Sequence, residues 1–256
     1  MPRKEPPAIE LRTEELADML TQLPAPMVIT KNKHENSAEN FRPAPRRRGV
    51  WLDGDWRGQP KQVSAGAAFV AHYVEREALL WIGRYLGSEP AGQDKRNYLM
   101  LDMVRLYRIT DLGGNSPSHA YLRSVLNQEG PPTYSYHFSP RVMSAEAEGQ
   151  EQEEITPARY REVLTRLEQP AFRRAVLAHH GSECVITGCT IPELLDAAHL
   201  PGRDWRAGHN GGLDGIPLRT DIHRALDRKL IALDAQLRLV IVDPRLERQY
   251  GQYRAV

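Results

Sequence analysis

The 256-residue sequence is poor in cysteine, in long apolar runs and in net charge. Its two cysteines, Cys184 and Cys189, are too few for a four-sulfur zinc knuckle, and two buried free thiols are the simpler interpretation. A mixed metal site with His179 or His180, or a disulfide, stays open as an alternative. No apolar run approaches the length of a membrane span, and the N-terminal residues lack a signal-peptide core. We therefore expect a cytoplasmic protein.

The charge balance gives little indication of a binding partner. There are 34 Lys and Arg residues against 33 Asp and Glu residues, so the formal net charge is only +1. Residues 155–256 carry 15 basic against 12 acidic side chains, and the excess of positive charge therefore lies in this part of the chain. This asymmetry supports a contact with DNA only weakly.

Composition divides the chain into four segments. Residues 1–49 combine an amphipathic helix, within residues 8–23 or beginning at Thr13, with a Pro/Arg-rich arm over residues 24–49. The arm ends in RPAPRRRG, whose arginines suit either phosphate contacts or a solvated linker. Residues 50–142 form an α+β domain of unknown role, and residues 143–154 an acidic linker. Residues 155–256 form the last domain.

Target recognition is one option for the domain at residues 50–142. The patterns predict a loop or hairpin at WLDGDWRG, a helix from Ala67 to Leu86 and a strand from Tyr98 to Ile109. A short helix, Ala120 to Asn127, and a strand at TYSYHF follow. The aromatic residues suit stacking on a flipped base, but ordinary core and hairpin packing is the favoured interpretation. They are Trp51, Trp56, Tyr134 and Tyr136.

The last domain is predicted to begin with two helices. The first opens at Thr156-Pro157 and ends at Pro170, and the second runs from Phe172 to His179. Strands at CVITG and LLDAAHL, a Gly-rich loop, and a short strand from Gly215 to Leu218 follow. Thr220 is the predicted N-cap of the next helix, and a hairpin from Leu230 to Asp243 closes the domain.

Three residues of this domain suggest chemistry. His199 ends the apolar strand LLDAAHL, and His223 and Asp227 lie four residues apart on the following helix, so both project from one face. A histidine facing a histidine–carboxylate pair suits one general base and one divalent cation. Hydrolysis of a phosphodiester needs that combination.

The sequence resembles a known family in this region. AAHL, DGIPL and DIHRALD, flanked by CVITGC and KLIALD, are similar to the HNH (ββα-metal) nucleases over residues 184–234. The resemblance implies a C-terminal ββα-metal module, which the predicted helices precede. Together with the separate N-terminal α+β domain predicted from the sequence patterns, this gives an α+β protein. The resemblance also implies that His199 activates the attacking water and that His223 and Asp227 are metal ligands. Asp214 takes the position of the asparagine that orients the base.

Two positions depart from the family pattern. Many members carry a metal ligand directly before the base, where this chain has Ala198. Asp196 lies two residues earlier, on the same strand face, and is a candidate substitute ligand. Asp214 replaces an amide with a charge, so it would either join the metal shell or misorient His199.

The expected function is that of a metal-dependent DNA endonuclease in restriction or phage defence. The metal is expected to be Mg²⁺ or Mn²⁺, with Ni²⁺ or Zn²⁺ as alternatives, and a homodimer would allow both strands to be cut. A set of arginines is expected to contact the nucleic acid: Arg203, Arg206, Arg224 and Arg228. Two alternatives stay open, an antibacterial nuclease toxin and an HNH-fold DNA-binding or regulatory protein that has lost its metal.

Overall fold

The computed structural model describes residues 8–32, 41–57, 59–92, 96–126, 135–147, 154–204 and 208–254. The chain is of mixed α+β type, as predicted, and divides into two compact units, Met1–Leu167 and Glu168–Val256. No helix in these described ranges is long and apolar enough to cross a membrane.

The first unit is built on one sheet of eight described strands. Their order is β3-β4-β7-β6-β5-β2-β8, and β1 pairs in parallel with β7. The strands are β1 (Ile9–Leu11), β2 (Met27–Asn32), β3 (Phe41–Pro43), β4 (Val50–Arg57), β5 (Phe69–Val74), β6 (Leu79–Pro90), β7 (Arg96–Ile109) and β8 (Ser135–His137). The helices of this part of the chain are α1 (Thr13–Thr21), α2 (Pro117–Leu126), α3 (Pro140–Ala147) and the first half of α4 (Pro157–His180).

The helix predicted from Ala67 to Leu86 is wrong, because this stretch forms the hairpin of β5 and β6. The strands pair antiparallel, from Phe69 opposite Arg84 to Val74 opposite Leu79, around a short 3-10 turn. All six residues of β5 are buried, so the apolar–polar alternation that marks a strand is missing. A continuous apolar run also places residues at helical spacing, and its β-branched and aromatic content was the better guide.

Other elements agree more closely with the sequence. Strand β7 contains the predicted strand from Tyr98 to Ile109, and α1 begins at Thr13, one of the two starts considered. Strands β2 and β3 fall in segment 24–49, where composition predicts an extended arm, because MVIT in β2 is apolar enough to enter the sheet. Residues 143–147 of the acidic segment continue α3, while Tyr134 lies outside the described residues.

A buried polar cluster joins strands that are not neighbours in the sheet. Asp53 of β4 accepts a hydrogen bond from Thr30 of β2 at 2.5 Å and lies 3.0 Å from the His72 ring of β5. The Trp56 indole donates to the same carboxylate at 3.1 Å. Since β7 and β6 separate β4 from β5 in the sheet order, these contacts require the sheet to curl so that β4 approaches β2.

Aromatic rings fill the inside of the curled sheet. Phe41 lies about equally close to three rings, at 5.0–5.2 Å from those of Trp51, His72 and Trp81. Trp51 also contacts Trp81, with ring centroids 5.2 Å apart. The packing interpretation therefore describes Trp51 better than stacking on a base.

The second unit contains the region expected to carry the chemistry. Its elements are the second half of α4, β9 (Leu195–His199), β10 (Gly215–Arg219), α5 (Thr220–Asp227), β11 (Ile231–Leu233), β12 (Leu239–Ile241) and α6 (Glu247–Tyr250). Strands β9 and β10 pair antiparallel, with His199 opposite Gly215, and β11 and β12 form the predicted hairpin. Ile222 and Ala225 of α5 share a buried cluster with Ala198 and Ile216 of the strands.

Three local predictions in this unit are wrong. Helix α4 continues through Pro170, because the missing amide costs one hydrogen bond, which burial of side chains such as Phe172 and Val176 offsets. The segment CVITG is a turn, in which the Cys184 thiol accepts the N–H groups of Thr187 and Arg219. Thr220 is the first residue of α5, and its hydroxyl donates to the Leu194 carbonyl.

We expect Asp53→Ala to lower the free energy of unfolding of the first unit by at least about 1–3 kcal/mol, because the buried His72 and Thr30 side chains would lose their hydrogen-bond acceptor. Urea unfolding followed by tryptophan fluorescence measures this. Asp18→Ala, at an exposed position of α1, is the matched control and should change it by less than about 0.5 kcal/mol. Equal effects of the two substitutions would show that the cluster does not hold the sheet together.

Candidate active site

His199 ends β9 with one ring nitrogen already engaged. Its Nε2 lies 3.1 Å from the main-chain carbonyl oxygen of His209. A carbonyl oxygen only accepts hydrogen bonds, so Nε2 carries the proton and Nδ1 of the neutral ring keeps a lone pair. The side chain is half-buried. The geometry therefore leaves His199 one nitrogen that is able to take up a proton.

The loop between β9 and β10 is closed by Asp214. Its carboxylate accepts the Gly211 N–H at 2.9 Å and lies 3.5 Å from the Arg203 guanidinium, while its main-chain oxygen accepts the Leu200 N–H at 2.9 Å. These contacts brace the loop on both sides. In the described structure, the His199 ring donates its hydrogen bond to the main-chain carbonyl of His209, which lies in this loop.

The role of His209 could not be predicted from the sequence. Its Nδ1 accepts the Asp204 N–H at 3.0 Å, and this contact holds the loop closed. The functional group that contacts His199 is a main-chain carbonyl, which every residue possesses. No side-chain pattern signals it.

Asp196, His223 and Asp227 lie together. The Nδ1 atom of His223 is 3.3 Å from Asp196 Oδ2, and its Nε2 atom is 3.6 Å from Asp227 Oδ2. The histidine side chain is 18% exposed, that of Asp196 39% and that of Asp227 68%. The two carboxylates thus approach different nitrogens of one ring, and that of Asp227 is the more exposed to solvent.

The first turn of α5 is fixed by charged and aromatic partners. Arg219 donates to both carboxylate oxygens of Asp221, at 2.7 and 2.9 Å, and Tyr250 of α6 donates to the same carboxylate at 3.1 Å. The hydrogen bonds from Arg219 lower the pKa of the Asp221 carboxyl group. Burial raises the pKa of the Tyr250 hydroxyl group. The helix that carries His223 is therefore anchored at its start while these groups keep their usual charges.

The arginines expected to meet nucleic acid have different surroundings. Arg224 is exposed on α5, and Arg228 is exposed directly after the last residue of that helix. Arg203 is about half exposed beside Asp214, and Arg206 lies outside the described residues.

The donor atoms around His223 suit a divalent ion only in part. Among the described residues, no group of three or more His, Cys, Asp and Glu side chains has the geometry of a metal site. Nε2 of His223 does lie close to the exposed carboxylate of Asp227, one helical turn later. Nδ1 of the same ring is held by Asp196. Mg²⁺-type sites commonly use few protein ligands and fill the remaining positions with water and substrate oxygens, so this set fits such an ion.

A comparison with known protein families finds a match in the same region of the chain. Residues 184–234 match the sequence model of the HNH endonuclease family, and the resemblance inferred from the motifs is confirmed. This HNH-family segment contains β9, β10, α5 and β11, and it supports nuclease activity in general. A search of curated proteins finds no match to the chain.

We expect Gly215→Ala to destabilise the second unit by about 1–3 kcal/mol. An added Cβ would lie 2.5 Å from Phe172 Cζ and 2.8 Å from the Ala198 carbonyl oxygen, which are closer than van der Waals contact. Scanning calorimetry measures the shift in Tm. The control is Gly113→Ala, where no atom lies within 4 Å of the added carbon. A Tm for Gly215→Ala equal to that of the control would contradict the close packing.

Proposed function

We propose that the protein is a metal-dependent DNA endonuclease that hydrolyses phosphodiester bonds. The strongest support is that the family match and the candidate active-site residues fall in the same segment of the chain. The residues that match the HNH endonuclease family are the same ones that orient His199 and gather His223 with two carboxylates.

His199 acts as the general base. With Nε2–H donated to the His209 carbonyl, Nδ1 is the nitrogen that removes a proton from the attacking water. The proton stays on the imidazole as the water oxygen forms its bond to phosphorus and the bond to the leaving oxygen breaks. Asp214 contributes by bracing the loop that presents the His209 carbonyl, through Gly211 and Leu200.

His223 and Asp227 are the protein ligands of the ion, through Nε2 and the exposed carboxylate. The chemistry that a divalent ion supplies at such a site is neutralisation of charge on the scissile phosphate. Asp196, which the sequence suggests as a third ligand, is better suited to hold Nδ1 of His223. A ligating histidine usually donates its second N–H to a carboxylate in this way. Carboxylate and water ligands favour Mg²⁺ or Mn²⁺, while the imidazole also accepts Ni²⁺ or Zn²⁺.

DNA is the proposed substrate, and restriction or phage defence the proposed role. Arg224, on the helix that carries His223, and Arg228, directly after its last residue, are exposed. We propose that they bind phosphate groups together with Arg203 and Arg206. The first unit is a separate compact unit, and selection of the target is the role we propose for it. Cleavage of both strands by a site with one ion would use two copies of the chain.

A second candidate is a DNA-binding protein of HNH type without nuclease activity. The observations that favour it are Ala198, at the usual position of a ligand, and Asp214, whose charge is paired with Arg203. This candidate predicts that the protein retards DNA in a gel and cuts none.

We expect His199→Ala to reduce the rate of plasmid cleavage by about 10²–10⁴-fold, because the group that removes the proton is lost. Nicking of supercoiled plasmid in the presence of Mg²⁺ or Mn²⁺ measures the rate. His180→Ala, which removes an exposed histidine at the end of α4, should cleave at the wild-type rate. Equal nicking by wild type and His199→Ala would refute the assignment of the base, and no nicking by the wild type would favour the DNA-binding candidate.

Calorimetric titration with Mn²⁺ tests the ligands directly. We expect Asp196→Ala to weaken Mn²⁺ binding by roughly 10–100-fold, because His223 would lose the partner of its Nδ1, and we expect Asp227→Asn to weaken it at least as much. Glu193→Ala changes an exposed carboxylate of the same unit and should leave the affinity unchanged. Wild-type affinity in both variants would place the ion elsewhere.

A further inference from the structure

The imidazole of His199 is stacked on a second ring that the resemblance does not involve. The ring of Phe172, from the second half of α4, lies 4.0 Å from it between centroids, with the two planes 10° apart. Phe172 is only 4% exposed and forms a small buried cluster with Val176 and Ala197. The stack is therefore part of the core of the second unit.

Strand alternation explains why α4 meets His199. Successive side chains of a strand point to opposite faces, so Ala197 and His199 share one face of β9 while Asp196 and Ala198 share the other. Ala198 packs in the cluster that contains Ile222 of α5, and Ala197 packs on Phe172 and Val176 of α4. The proposed base, His199, thus packs against α4, whereas His223 lies on α5.

Strand β10, which pairs with β9, leaves room for the ring of Phe172 next to His199. Gly215 is paired with His199 across β9 and β10, and a Cβ at this position would lie 2.5 Å from Phe172 Cζ and 3.1 Å from Val176 Cγ2. Because Gly215 has no side chain, the aromatic ring reaches the strand at this level. The absence of a side chain at Gly215 thus allows the Phe172 ring to lie against the imidazole of His199.

The stack and the hydrogen bond constrain different motions of the imidazole. The bond from Nε2 to the His209 carbonyl fixes the direction of one ring nitrogen but permits the ring to turn about that direction. Contact with a flat neighbour at 4.0 Å fixes the plane of the ring. With both in place, the direction of Nδ1 is determined.

We propose that Phe172 is a positioning residue for His199, which fixes the plane of the imidazole and so aims Nδ1 at the attacking water. The inference rests on the proposed function, since it assumes that His199 is the base. Phe172 does not touch the reacting atoms in this mechanism. Its effect is on the rate of the chemical step and not on binding of DNA, because a misdirected base costs rate even where the substrate is bound normally.

The experiment compares Phe172→Leu with Val176→Ala in the full chain. Leucine keeps apolar volume but has no flat face, while Val176→Ala removes buried volume from the same cluster without removing the ring. We expect kcat for plasmid nicking to fall roughly 10- to 100-fold in Phe172→Leu with KM unchanged, and to stay near the wild-type value in Val176→Ala at a temperature where both are folded. Equal kcat in the two variants would overturn the proposal, as would a rise in KM that accounts for the whole loss.

A spectroscopic readout tests the stack even if Phe172→Leu does not fold. In proton–carbon spectra of histidine-labelled protein, the ring signals of His199, assigned by their loss in His199→Ala, should be shifted upfield in the wild type by the adjacent aromatic face. Unshifted signals in the wild type would show that the rings are not stacked. In folded Phe172→Leu the signals should move to the position of an unstacked imidazole.

The two hypotheses fail in different ways. If the wild type cuts DNA and His199→Ala does not, the proposed base is retained, and an unaffected Phe172→Leu removes only the positioning role. If the wild type and His199→Ala cut equally, the proposed base itself is lost, whatever the spectra show.

Discussion

One hydrogen bond determines what His199 is able to do. The carbonyl oxygen of His209 can only accept, and so it decides which nitrogen of the imidazole carries the proton. The loop that presents this carbonyl is held by Asp214, through the N–H groups of Gly211 and Leu200, and by the side chain of His209 itself. The chemistry proposed for the site therefore depends on how a loop closes, as well as on which side chains are present.

The second part of the site depends on a helix whose start is anchored. Asp221 accepts hydrogen bonds from Arg219 and Tyr250, which ties α5 to β10 and α6. His223 follows half a turn later, with Asp196 on one side of its ring and Asp227 on the other. A carboxylate on each nitrogen holds the ring, and the more exposed one is the proposed second ligand of the ion. The two histidines are thus oriented by separate sets of contacts.

The sequence was informative where spacing alone determines geometry. His223 and Asp227 meet because residues four apart on a helix share a face, and the hairpin from Leu230 to Asp243 follows from alternation around a turn. Prediction failed where burial removed the alternation, as in the stretch from Ala67 to Leu86. It failed again at CVITG, where hydrogen bonds to a thiol stabilise a turn in an apolar segment. The contacts of His199 with the His209 carbonyl and with Phe172 join residues 10 and 27 positions away, at spacings that no local pattern encodes.

The buried cluster of Thr30, Asp53 and His72 has a consequence for how the first unit comes apart. It bonds β4 to β2 and β5, so once the outermost strands β3 and β8 have separated, neither β4 nor β2 can leave the sheet without breaking the cluster. Amide protons on β2, β4 and β5 should then exchange with solvent through one shared opening event and not in sequence from an edge. A single buried carboxylate would in that case set the cooperativity of the whole first unit.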